Sequence, residues 1–301
     1  MLFLNNIKSI YLITVVILIC IPAIIIIGAG LLLPKKPKIK TSDADQYISV
    51  LGSKIRYQIY KNNNIIQYPD HKKPVLILLH GFGNYKEQWD KVVPKLSYHT
   101  VIGFDMVGFG GSDTPPIKYT LESQRQYLIA FMDKLNIDTA ILAGISMGAS
   151  VTAWSAANSH ERIHSAIMFA PSAYPDSLAK KWPYSWLYRP GVVNHIVAGF
   201  IHSTIYRNIF PNSMGVQAID VTSSYDTSFA NALERIKQST LIAWSEGDKT
   251  TLYRYSDEYR ARIRDLTFIK LPDALGHNIT GRAPEETATI INDFVMNNIR
   301  Q

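Results

Sequence analysis

Cysteine is nearly absent: Cys20 is the one such residue in a chain of 301. A single thiol can form no intrachain disulfide, so burial and hydrogen bonding must hold the fold. Cys20 follows Ile19, where a bacterial lipid-modification site resembles Gly, Ala or Ser, so it reads as an inert apolar thiol. Internal repeats and low-complexity tracts are also missing, which excludes a repeat architecture. The formal net charge is +7. It comes without the basic and aromatic module of a nucleic-acid binder, so no nucleic-acid partner is expected.

What the chain does have begins with an apolar run. Ile10 to Leu33 carries no charge, and roughly 20 such residues span a bilayer. The run is longer than the apolar part of a cleavable signal peptide, and Leu31 to Leu33 continue past the small cluster Gly28-Ala29-Gly30. It reads as an uncleaved single-pass anchor, kinked at Pro22, with the membrane as partner. Lys35, Lys36, Lys38 and Lys40 follow it, whereas Lys8 and the amino terminus precede it. That asymmetry favours a cytoplasmic side for everything beyond Pro34. Residues 1–40 are therefore expected to be anchor and basic flank, and residues 41–301 one domain.

The second part has a different rhythm. Short apolar runs, each the length of a buried strand, stand at Pro74–Leu79, Thr100–Phe104, Thr139–Ile145, Ser165–Ala170, Thr240–Trp244 and Thr267–Leu271. Helical patterns at Lys86–Leu96, Leu121–Leu135, Met147–Asn158 and Pro284–Ile299 alternate with them. Tyr47–Val50 and Lys54–Ile59 read as a leading strand pair, and Asn62-Asn63-Asn64 as a turn. Continuous apolar strands between helices predict an α/β fold whose mostly parallel sheet is covered on both faces. The rhythm breaks from Pro171 to about Leu233, a stretch rich in Tyr, Trp and basic residues. This reads as a helical insertion.

His160-Glu161-Arg162-Ile163-His164 spells the H-E-x-x-H of zinc proteases. In that class both histidines share one face of a helix. Here a helix ends at Asn158-Ser159 and a buried strand begins at Ser165, and no third ligand follows at a useful spacing. The five residues read as a solvated turn, and no metal is expected.

A stronger signal lies just upstream. Gly144-Ile145-Ser146-Met147-Gly148 is G-x-S-x-G between a strand and a helix, a bend that lifts the hydroxyl above the sheet edge. A serine needs a base to become nucleophilic, and the base needs an acid to orient it. His277, after Gly276, supplies the first and Asp248, after Gly247, the second; Glu246 and Asp273 are rivals for the acid. The order Ser146, Asp248, His277 is the one such a strand-borne serine takes. His80-Gly81-Phe82-Gly83 follows a strand directly. Its glycines free the backbone to aim amides, so the Phe82 and Met147 N–H groups are the expected oxyanion donors.

Taken together, HGFG, FDMVGFGGSD (Phe104 to Asp113), GISMG, EGD and GH resemble the α/β-hydrolase fold family of serine hydrolases. HGFGNYKEQW behind an apolar amino-terminal run is most similar to monoacylglycerol-lipase-like and esterase members. The resemblance runs from about Val75 to Ile299 and implies an eight-stranded, mostly parallel sheet with helices on both faces and a cap inserted at about 171–233. It also implies that HERIH is a turn entering a strand. Two departures stand out: Val107 occupies a position that is often proline, and Lys249-Thr250-Thr251-Leu252 replaces a Val-Pro pair after the acid. Ser146 argues against epoxide hydrolases and haloalkane dehalogenases, which resemble the sheet but carry Asp there.

The expectation is a membrane-anchored carboxylic ester hydrolase acting through an acyl-enzyme on acylglycerols or other acyl lipids, without cofactor or metal. A thioesterase and a non-catalytic binding protein on the same scaffold are the alternatives. In the cap, Trp182, Tyr184, Trp186, Leu187 and Tyr188 either line an acyl pocket and meet the membrane interface, or simply pack the cap onto the sheet. The sequon Asn278-Ile279-Thr280 beside His277 reads as coincidental.

Overall fold

A computed structural model describes Gly28 and residues 33–61, 74–172, 192–225 and 227–299. Eight strands form one sheet in the order β1-β2-β4-β3-β5-β6-β7-β8. They are β1 (Gln46–Val50), β2 (Ser53–Lys61), β3 (Val75–Leu79), β4 (Thr100–Phe104), β5 (Ala140–Ile145), β6 (Ile163–Phe169), β7 (Thr240–Ser245) and β8 (Leu266–Leu271). β1 pairs antiparallel with β2, and β2 antiparallel with β4; every later pairing is parallel.

The central parallel strands β3 and β5 are apolar throughout because both faces are covered, whereas the edge strand β8 leaves Thr267 and Lys270 exposed. Every residue of Val75–Leu79 and of Ala140–Ile145 is buried. On one face, α1 (Leu121–Lys134) turns Leu121, Tyr127, Leu128, Phe131 and Met132 inward. The Thr120 hydroxyl caps its start by accepting the Ser123 N–H at 3.2 Å, and Asn136 in the left-handed region (φ 53) ends it. Phe131 stacks on Phe104 at 4.9 Å between ring centres. α2 (Met147–Asn158) is built from small residues that let it lie close to β5 and β6.

Between β6 and β7, the described part of the insertion is helical: α3 (Val192–Ile201), α4 (Thr204–Ile209), α5 (Gly215–Ser223) and α6 (Thr227–Leu233). Residues 173–191, with the aromatic cluster Trp182 to Tyr188, lie outside the described residues, as does the Asn62–Asn64 turn. α7 (Ser256–Arg262), α8 (Ile279–Arg282) and α9 (Pro284–Ile299) complete the chain.

One local expectation changes, one helix is new, and the reading of HERIH as a solvated turn entering a strand holds. The helix expected at Lys86–Leu96 is two 3₁₀ turns, Lys86–Trp89 and Val93–Lys95. Pro94 lacks the N–H that a helix continuing through Asp90 would need, while the Lys86 N–H at the start of the first turn donates to Asp105 Oδ1 at 2.7 Å. α7 has no counterpart in the apolar pattern, although Asp257 and Glu258 in its first turn and Arg260 and Arg262 in its last suit a helix dipole. HERIH crosses a turn into β6 and leaves His160 and His164 exposed. Arg162 fastens that turn by donating to the carbonyls of Asp138 and Ile137 at 2.8 and 2.9 Å.

The expected membrane location, a single-pass anchor with the domain on the cytoplasmic side, is corrected. Among the described residues no helix is long and apolar enough to cross a membrane. Most of Ile10–Leu33 lies outside the described residues, but its last residue, Leu33, is 3% exposed and belongs to the protein core. The backbone beyond it lies along the cap: Pro34 O accepts the Met214 N–H at 2.7 Å, and the Lys36 N–H donates to Asn212 O at 2.8 Å. The Lys36 ammonium bonds the Thr114 hydroxyl. Burial pulls its pKa down, against the opposing pull of Asp113. The apolar end and this lysine thus find partners within the protein, so a charge count across a membrane gives no orientation.

Candidate active site

The chain runs from β3 out to β4 on one side and then back to β5 on the other. Such a reversal opens a crevice beyond the carboxyl ends of β3 and β5. The pairing Leu79 with Gly144 sets the HGFG loop and the GISMG bend side by side at its mouth. Ile145 pairs with Phe169, Phe169 with Ala243 and Ala243 with Ile269, so the loops after β5, β6, β7 and β8 leave the sheet at one level.

Ser146 takes φ 55 and ψ −119, a region L-residues rarely occupy. The bend is enforced on both sides. A Cβ at Gly144 would lie 2.3 Å from the Gly148 backbone, and one at Gly148 would lie 2.4 Å from Leu79 O. Only glycine permits that approach. The Ser146 N–H donates to Phe169 O at 2.9 Å, and its carbonyl accepts the Ser150 N–H at 3.1 Å. The side chain is half-buried.

The loops after β7 and β8 are drawn together by a second close approach. A Cβ at Gly247 would stand 2.2 Å from Asp273 O. The Ser245 hydroxyl donates to Pro272 O at 2.8 Å and accepts the Gly276 N–H at 3.1 Å. Gly276 itself has φ 54. These contacts deliver His277 to Asp248: Nδ1 donates to Oδ2 at 2.7 Å. The Asp248 carboxyl is wholly buried, whereas a quarter of the imidazole is exposed. Oδ1 accepts the Thr250 and Thr251 N–H groups at 2.7 and 3.0 Å, and Oδ2 also accepts the Thr251 hydroxyl at 2.8 Å. Burial pushes the Asp248 carboxyl up, but its bonds to His277, Thr251 and Thr250 outweigh this and hold it below the usual carboxylate range. With Nδ1 donating, the proton sits there and Nε2 carries the free lone pair.

The rival acids lie elsewhere. Glu246 is exposed and paired with Lys270, and the Asp273 side chain is exposed on a turn. The histidines of HERIH join nothing: among the described residues no cluster of three or more His, Cys, Asp or Glu is placed to hold a metal.

The HGFG loop lies against the serine, since a Cβ at Gly81 would be 3.4 Å from Ser146 Cβ. Gly83 has φ 72. Two side chains fix the loop, and neither role is visible in the motif. Gln88 Oε1 accepts the Gly81 N–H at 2.7 Å. His80 Nε2 accepts the Met106 N–H at 3.0 Å, which leaves Nδ1 protonated and donating to Gly81 O at 2.8 Å. Burial of the whole ring pushes the His80 pKa down and keeps it neutral. A trans peptide points its C=O and N–H in opposite directions. Turning Gly81 O toward His80 therefore turns the Phe82 N–H away from it. Met147, the other expected donor, is the first residue of α2.

The sequence reading did not single out Thr251. The signal was the pair of threonines directly after Asp248, where a carboxylate commonly collects local donors.

The fold is that of the α/β hydrolases: the family profile described as alpha/beta hydrolase fold matches residues 74–209. Human monoacylglycerol lipase ABHD6 is 23% identical over 283 residues, 81% of this chain and 83% of the relative. The 2-hydroxy-6-oxo-2,4-heptadienoate hydrolase of Pseudomonas putida is 32% identical over 124 residues, 40% of this chain and 45% of the relative. Among solved structures, a membrane phospholipase A described as a bacterial virulence factor superposes with a TM-score of 0.65 at 18% identity, covering 99% of each chain.

Proposed function

We propose that this chain hydrolyses carboxylic esters, acylglycerols or other acyl lipids foremost, with Ser146 as nucleophile, His277 as base and Asp248 as orienting acid. The observation that carries the reading is the 2.7 Å bond between a wholly buried Asp248 carboxylate and a part-exposed His277. It lies on the same sheet edge as a serine held at φ 55. A buried carboxylate there selects the tautomer with Nε2 free and stabilises the imidazolium formed when Nε2 takes a proton.

In this mechanism the Ser146 oxygen attacks the ester carbonyl as its proton passes to His277 Nε2. The carbonyl oxygen becomes an oxyanion held by the Phe82 and Met147 amides. The imidazolium then protonates the leaving alcohol. Water, deprotonated by the same Nε2, attacks the acyl-enzyme and releases the acid, restoring Ser146. The lipid preference is supported by the name of the relative that aligns over most of both chains, a monoacylglycerol lipase.

The test uses the full chain. A fluorophosphonate should label it stoichiometrically, and Ser146→Ala should abolish labelling and lower ester turnover by about 10³-fold or more. A series of p-nitrophenyl esters and monoacylglycerols of rising chain length reads the substrate preference. Folded protein that takes no label and turns over none of the series would overturn the proposal.

A further inference from the structure

We propose that Thr251 is a positioning residue for the acid–base pair, with its hydroxyl holding the Asp248 carboxylate and the His277 ring in one arrangement; this rests on the function proposed above. The hydroxyl is buried where three chain segments meet, with Thr251 1% exposed. It lies 2.8 Å from Asp248 Oδ2, 3.2 Å from His277 Nδ1 and 3.2 Å from Ala170 O.

A hydroxyl has one proton and two lone pairs. The ionised carboxylate is the stronger and nearer acceptor, so the proton goes to Oδ2. The lone pairs then face the His277 Nδ1–H, which meets a fork of two oxygens, one at 2.7 Å and one at 3.2 Å. When the ring gains a proton at Nε2, Nδ1–H becomes a stronger donor and both arms of the fork tighten. With the proton committed to Oδ2, Ala170 O at 3.2 Å is a neighbour of the hydroxyl and not its acceptor, and it places the fork beside the strand end that holds the nucleophile. Ala170 stands at φ 45 directly after β6, and the preceding carbonyl, Phe169 O, accepts the Ser146 N–H at 2.9 Å. Thr251 thus holds the Asp248 and His277 side chains together while packing beside the strand end whose Phe169 carbonyl accepts the Ser146 N–H.

The backbone supports the same geometry. Thr250 and Thr251 close their amides on Oδ1, leaving Oδ2 for the imidazole and the hydroxyl. The carboxylate cannot rotate without breaking bonds at both oxygens. Valine in place of Thr251 would keep the shape and the amide but remove the hydroxyl. Serine would keep the hydroxyl and lose only a methyl.

The experiment compares wild type, Thr251→Val and Thr251→Ser on p-nitrophenyl butyrate, well below each variant's Tm. The expected result for Thr251→Val is a roughly tenfold fall in kcat, the scale of one lost hydrogen bond, with KM unchanged. Thr251→Ser should restore kcat to near wild type. A second readout needs no turnover: the downfield proton resonance of His277 Nδ1–H should shift or broaden in the valine variant and return in the serine variant. Wild-type kcat together with a wild-type resonance in Thr251→Val would overturn the inference, as would a serine variant no better than valine. Should the wild type take no fluorophosphonate, the ester-hydrolase reading falls, and the resonance still decides whether Thr251 holds the ring.

Discussion

Two buried aspartates stand at equivalent places in this molecule, each just past the carboxyl end of a strand, and they face different partners. Asp105 follows β4. Its Oδ2 accepts Arg56 Nη1 at 3.1 Å and the Gly111 N–H at 2.7 Å, and its Oδ1 accepts the Lys86 N–H at 2.7 Å. Arg56 is itself wholly buried and also meets Asp45 and Glu87. Lys86 joins the cluster through Asp45 at 2.9 Å, Glu87 at 3.0 Å and Gln58 at 2.7 Å. Asp248 follows β7 and has a similar set of backbone donors, but its side-chain partner is an imidazole with an open edge. A guanidinium never gives up its proton, so the first carboxylate can only hold loops in place. An imidazole can give and take a proton, which is what the proposed mechanism asks of the partner of the second. The residue opposite the carboxylate makes the difference.

Amide substitutions should separate the two sites most sharply. Asp248→Asn should lower ester turnover by about 10³–10⁴-fold with a modest change in Tm, since the fold keeps its backbone contacts. Asp105→Asn should do the reverse. It leaves the Arg56 charge short of a buried partner, costing about 3–5 kcal/mol in a denaturant titration, while turnover per folded molecule changes far less. Similar turnover losses in both variants would erase the distinction.

A smaller effect is expected where the acid and base loops touch. Gly247→Ala places a Cβ against Asp273 O and should cost about 1–3 kcal/mol of stability. It should also lower kcat by prying Asp248 from His277. An alanine variant with wild-type kcat would show that the loops yield without parting the pair.

The smallest effect is in pH. His80 is depressed by burial, so its folded form stays neutral where the unfolded chain takes a proton. The stability this gives is complete above about pH 6.5 and is lost as pH falls toward the folded value, by up to about 1.4 kcal/mol per unit. Asp248, also depressed, adds a second loss at lower pH, beginning below about 3.9. Denaturant titrations from pH 8 to 4 should show the first, and His80→Gln should remove its share of the slope.

Much of the frame is legible in the chain because its signals are local. The runs VLILL, TVIGF and AILAGI are buried strands within a residue or so of where their apolar stretches begin and end. Glycine on each side of Ser146 marks a bend that no other residue would allow. What the chain conceals depends on distant partners. Lys36 and Leu33 look like the edge of a membrane segment until their contacts with Thr114, Asn212 and Gly215 are known. Arg56, inside a short alternating strand, shows no sign in sequence that it gathers Asp45, Glu87 and Asp105. Thr251 belongs with these, since its three neighbours come from three separate loops.

The stretch from Leu33 to Asp45 bears directly on how shortened versions of this protein should be designed. Leu33 fills a recess that would leave its Cδ1 only 2.6 Å from any Cβ at Gly215, Ile39 lies along Gly111, and the Lys40 carbonyl accepts Arg56 Nη2 at 3.0 Å. Met214, whose amide donates to the Pro34 carbonyl, sets its terminal methyl 3.8 Å from where a Cβ at Gly83 would stand. A cut at residue 40, where composition alone would set it, therefore unplugs the cap and deprives a buried arginine in a single stroke. A cut before residue 33 spares both.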